Sequence, residues 1–73
     1  MKLPQISGKE LIKKLQHAGF IATRQRGSHI RLEKRSGDKL IKITIPLHGE
    51  LKKGTLNRIL KDSGVLVEDL DNL

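Results

Sequence analysis

The chain has 73 residues, carries no cysteine, and has Phe20 as its single aromatic. That length builds one domain. A domain of this size buries only about 60% of the surface its unfolded chain exposes, so it does not enclose a substrate on all sides and any chemistry takes place on an open face. Without cysteine there are no disulfides, thiolate nucleophiles or Cys-based zinc sites. Small secreted domains usually depend on disulfides, so the composition points to the cytoplasm. No apolar run approaches membrane-spanning length, and residues 1–10 lack the apolar core of a signal peptide.

The formal charge is +7 and it is segregated. All fifteen Lys and Arg lie within residues 1–61 with only four acids, giving +11; residues 62–73 hold the other four acids and no base, giving −4. A basic body of this kind reads as a polyanion binder, nucleic acid before membrane, because no basic helix here has large aromatic anchors. Modules that read single-stranded RNA by base stacking need two or three exposed aromatics, so contact must rest on phosphates, shape and backbone groups.

In chain order, Ser7 and Glu10 form a capping box, with each side chain expected on an orphan backbone donor; Ile6 and Leu11 make the accompanying hydrophobic staple. Leu11, Ile12, Leu15 and Ala18 then follow a helical stripe that Gly19 ends. The spacing predicts a helix from about Gly8 to Ala18, with Phe20 folding back on Leu15. Three strands are predicted next: Phe20 to Gln25, His29 to Lys34, and Leu40 to Ile45 stopped by Pro46. Turns at Arg26-Gly27-Ser28 and at Arg35-Ser36-Gly37-Asp38 join them. In the second strand Ile30 and Leu32 face one side, and in the third Ile41, Ile43 and Ile45 do so. The pattern leaves open the facing of the first strand, and of Arg24 with it. A second helix is predicted from Lys53 or Gly54 to Ser63, stopped by Gly64. The tail after it is read as adding a short helical turn. Both helices have one apolar stripe and the sheet one apolar face, so both helices should pack on that face. The expectation is an α+β domain, α-β-β-β-α, with a three-stranded antiparallel meander like the double-stranded RNA-binding domain in layout. It spans residues 1–73, with a core of about 7–66 and an acidic tail at 67–73.

On the open face this plan places His29, Arg31, Lys42 and Thr44. His29 follows the Gly27-Ser28 turn among Arg24, Arg26 and Arg31. Imidazole is the side chain that exchanges protons near neutral pH, and RNA cleavage needs such a group plus positive charge on the crowded phosphate. An exposed histidine beside arginines is otherwise an ordinary surface residue. His48, in the loop before the second helix, is a secondary acid/base candidate, a phosphate contact or a solvated residue; His17, at the end of the first helix, is given no role. The three histidines have no metal-ligand spacing and the acids are scattered, so no metal or other cofactor is expected. Lys52, Lys53, Gly54 and Thr55 open the second helix, where free backbone donors and two lysines suit a phosphate; the ordinary alternative is a helix start capped by Thr55. Lys34, Arg35 and Lys39 read as a solvated basic hairpin tip.

Ser-Gly-Lys-Glu-Leu-Ile (7–12), Ala-Gly-Phe (18–20), Arg24, Arg-Gly-Ser-His (26–29), Ile-Pro-Leu-His (45–48) and Lys-Gly-Thr-Leu (53–56) with Ile59-Leu60 run in the order and spacing of the HicA-type, or YcfA-like, toxins. The chain resembles that family over roughly residues 7–66. The resemblance implies the toxin of a toxin–antitoxin pair that cleaves mRNA independently of translation, with the histidine of the Gly-Ser-His motif, here His29, as its essential catalytic residue. It also implies a HicB-type antitoxin that covers the active face. The competing reading is a non-catalytic RNA-binding module of the same fold. A DNA-binding helix-turn-helix is disfavoured, because three strands separate the two helices.

Overall fold

The computed structural model of the protein describes residues 5–47 and 49–73. The elements run α1 (Gly8–His17), β1 (Ile21–Arg26), β2 (His29–Ser36), β3 (Lys39–Pro46), α2 (Lys53–Ser63) and a terminal 3₁₀ helix, Val67–Asn72. The strands form one antiparallel sheet in the order β1-β2-β3. Both helices touch β3, and Leu11, Leu15, Leu56, Ile59 and Leu60 close the core over Leu32, Ile43 and Ile45. The α-β-β-β-α plan read from the sequence is the plan of the molecule.

Each boundary has a local cause. At α1 the Ser7 hydroxyl oxygen accepts the Glu10 backbone N–H at 3.1 Å, and the hydroxyl itself donates to Glu10 Oε1. The carboxylate therefore holds the capping serine's side chain, not the serine N–H that the capping box predicts. Ile6 and Leu11 are both buried, as the staple requires. The helix closes one residue early, at His17: Gly19 N–H bonds to Gln16 O and Phe20 N–H to Leu15 O, with Gly19 at φ +105°. This is a Schellman closure. Because it consumes the Phe20 N–H, β1 starts at Ile21 and not at Phe20.

The two hairpin turns are shorter than the sequence suggested. Gly27-Ser28 and Gly37-Asp38 are two-residue connections with the glycine at φ near +60°, the pattern of type II′ turns. Arg35 and Ser36 therefore belong to β2 and Lys39 to β3, where Ser36 pairs with Lys39. Pro46 ends β3 inside the ladder, opposite His29. Lys34 is also not part of a solvated tip. Its side chain is half-buried, with Nζ 5.6 Å from the centre of the Phe20 ring.

Two further features tie the ends to this frame. Gly8 packs so tightly on the end of β3 that a Cβ there would collide with the Pro46 carbonyl oxygen. Leu70, in the acidic tail, is 1% exposed and joins the core, and its carbonyl accepts a 2.9 Å hydrogen bond from Lys14 Nζ. The tail thus forms part of the packed body. Among the described residues, no helix is long and apolar enough to cross a membrane.

Candidate functional site

The helices cover one face of the sheet and leave the other open. Directly opposed residues of an antiparallel pair share a face, so the ladder settles which side chains lie there. On β2 and β3 the open face carries the pairs His29–Pro46, Arg31–Thr44, Glu33–Lys42 and Arg35–Leu40. The intervening Leu32, Ile43 and Ile45 are buried.

On β1 two requirements conflict. Phe20 is buried, and Ala22 lies opposite buried Leu32, which puts residues 20 and 22 on the core side. Strict alternation would then send Arg24 and Arg26 toward the core as well. The Gly27-Ser28 turn, however, pairs Arg26 with His29 on the open side. A β-bulge between Ala22 and Arg24 reconciles the two, with six residues of β1 (21–26) spanning five of β2 (29–33). Thr23 is the extra residue, and its hydroxyl donates a 3.0 Å hydrogen bond to Glu33 Oε2. Beyond the bulge Arg24 faces Arg31 and Arg26 faces His29.

Arg24, Arg26, His29, Arg31 and Thr44 consequently line one depression of about 140 Å³. His29 and all three arginines are exposed. Opposed Cβ atoms stand roughly 5 Å apart, so Arg24 and Arg31 repel each other in the absence of an anion. Such a cluster destabilises the free sheet and gains most when a doubly liganded anion, such as a phosphodiester, lies between the guanidiniums. Next to His29 in the chain, the Ser28 carbonyl accepts the Leu47 N–H at 2.6 Å, fastening the turn to the strand exit. A larger hollow of about 360 Å³ along α1, lined by Ser7, Lys9, Glu10, Ile12, Lys13 and Gln16, contains neither histidine nor arginine.

The other sequence candidates are distributed around this centre. Gly27 and Ser28 form the turn itself, and Lys42 is exposed one pair further along, opposite Glu33. Lys52 and Thr55 line a second depression with Pro46, Glu50 and Leu51. Lys52 is the N-cap of α2 with no side-chain capping bond, and no acid lies in the first turn. The first N–H groups of α2, around Lys53 and Gly54, have no intrahelical partner. His48 lies outside the described residues. The sequence reading missed Thr23 and Glu33. The signal was present in the mismatch between a buried Phe20 and a hairpin that sets Arg26 beside His29.

Residues 8–65 match the family model described as HicA toxin of bacterial toxin-antitoxin. No curated protein matches the chain.

Proposed function

The chain belongs to the HicA toxin family, the toxin side of bacterial toxin-antitoxin pairs, and on that premise we propose that it is an endoribonuclease that cleaves mRNA on the open sheet face with His29 as the proton-transfer group. The observation that carries this reading is the convergence of Arg24, Arg26 and Arg31 on His29 in one depression, despite the repulsion between Arg24 and Arg31.

In this reading the guanidiniums seat a phosphodiester beside the imidazole. His29 removes the proton from the ribose 2′-hydroxyl, and the 2′-oxygen attacks the adjacent phosphorus. Charge grows on the non-bridging oxygens, where the arginines stabilise it. The P–O5′ bond breaks and the 5′-oxygen takes a proton from water, because a guanidinium does not release one; the His29 imidazolium then gives its proton to the resulting hydroxide and returns to the neutral base. The products carry 2′,3′-cyclic phosphate and 5′-hydroxyl ends. The face bears no stacking aromatic, so the backbone dominates recognition. Lys42, Lys52, Lys53, Gly54 and Thr55 extend the track for neighbouring phosphates. The partner is a HicB-type antitoxin that sets acidic or apolar groups over the basic face and His29.

The test is incubation of the protein and its His29→Ala variant with long single-stranded RNA in chelator, followed by analysis of fragment length and end groups. Cleavage by the native chain alone, with cyclic phosphate ends, is the expected result. Products with 5′-phosphates overturn the mechanism. Intact RNA that is nevertheless bound by both proteins turns the reading to a non-catalytic RNA-binding module.

A further inference from the structure

We propose that Thr23 and Glu33 are positioning residues: their hydrogen bond locks the bulge at Thr23 and so holds Arg24 opposite Arg31 in the arginine depression. The inference rests on the proposed function only for its consequence in RNA binding; the register itself is a property of the sheet.

The argument begins with what the bulge could otherwise do. One extra residue must be accommodated somewhere between Ala22, held opposite buried Leu32, and Arg26, held opposite His29 by the two-residue turn. Thr23, Arg24 or Gln25 can be that residue, but a bulge at Gln25 sets Arg24 opposite Ile30 on the core side, which leaves Thr23 and Arg24 as the two choices. If Arg24 bulges, Thr23 takes the place opposite Arg31 and Arg24 leaves the ladder. Electrostatics favours this slip, because it replaces an Arg–Arg pair with a Thr–Arg pair. Backbone exposure opposes neither register, since all six residues of β1 are exposed. The observed register carries a 3.0 Å bond from Thr23 Oγ1 to Glu33 Oε2. A hydroxyl-to-carboxylate bond is charge-assisted and stronger than a neutral one. Glu33 is also half-buried and flanked by Ile21 and Lys42 in the ladder, which limits its freedom to turn away.

Neither residue reaches the depression, whose lining is Arg24, Arg26, His29, Arg31 and Thr44. Their effect therefore passes through the placement of Arg24. A one-residue change of register is large on the scale of phosphate recognition, where displacements of about 1 Å already matter.

The test uses the full chain and four variants: Thr23→Val, which keeps shape and strand preference without the hydroxyl; Thr23→Ser, which keeps the hydroxyl; Glu33→Leu; and the double variant Thr23→Val/Glu33→Leu. Cross-strand NMR contacts report whether residue 24 or residue 23 faces Arg31. Affinity for a 2′-O-methyl RNA, which is not cleaved, reports the consequence. The expected result is loss of the Arg24–Arg31 contact and an affinity drop of about tenfold in Thr23→Val. Thr23→Ser should keep the native register and affinity. The double variant should be no worse in register than either single variant, as for two partners in one interaction. Retention of the Arg24–Arg31 contact in both Thr23→Val and Glu33→Leu overturns the proposal. If the native chain fails to cleave RNA, the catalytic reading falls, while the register contacts still decide this one.

Discussion

Arg26 and His29 are direct partners across the β1–β2 ladder, separated in the chain only by Gly27 and Ser28. The pairing depends on a turn whose first residue has φ +60°. Beyond its two chain neighbours, no atom of the described residues lies within 4 Å of a Cβ built at Gly27, so a substitution there is penalised by backbone conformation and not by crowding. Gly27→Ala should cost roughly 1–2 kcal/mol in chemical denaturation and lower RNA cleavage with it. A synthetic chain with D-alanine at position 27 should restore both, because a D-residue favours positive φ. Equal behaviour of the two alanine enantiomers would contradict this account.

The Arg24–Arg31 pair predicts opposite effects on stability and binding. Arg31→Thr replaces a like-charged pair by one suited to a strand, and should stabilise the free protein by about 0.2–1 kcal/mol. The same variant should weaken RNA binding and reduce the slope of log affinity against log salt by about 0.7, the value for one lost phosphate contact on a single strand. Titrations at several salt concentrations, beside urea melts, check both signs.

Gly8 offers a purely steric test. Alanine at this position collides with the Pro46 carbonyl oxygen, a backbone atom in the pair that includes His29. Gly8→Ala should destabilise by about 1–3 kcal/mol, although alanine is the better helix former. A midpoint equal to or above that of the native protein in thermal unfolding counts against the close approach.

Leu70 tests the standing of the acidic tail. Its side chain is buried at the core while Glu68, Asp69 and Asp71 around it are exposed. Leu70→Ala should cost about 2–5 kcal/mol, a large share of what a small domain has to spare. Asp69→Asn should stay within about 0.5 kcal/mol. Comparable effects of the two would contradict the docking of this segment.

The antiparallel sheet, the two helices and the apolar faces of β2 and β3 were legible because each follows a simple period anchored by a cap or a glycine. Ser7, Gly19, Gly27 and Gly64 all mark boundaries. What escaped was β1. Its residues are uniformly exposed, so burial leaves no alternation to read, and the bulge is decided by partners ten residues away. The placement of His29, Arg31 and Thr44 on one face followed from alternation. The arrival of Arg24 and Arg26 beside them did not, because alternation from Phe20 sends them to the wrong side. Leu70 escaped for a related reason: a lone apolar residue among acids becomes a core residue only when Lys14 and the helix stripe are in place beside it.

The bulge has one more consequence. β1 is an edge strand, and a regular, flat edge invites the strand of another chain to zip onto it. The extra residue at Thr23 interrupts that row of donors and acceptors, and Arg24 and Arg26 add charge along it. The irregularity that shapes the arginine depression therefore also guards the β1 edge against fibre-like self-association. Straightening β1 and replacing its arginines with valine would remove that protection in the same step that empties the depression of charge.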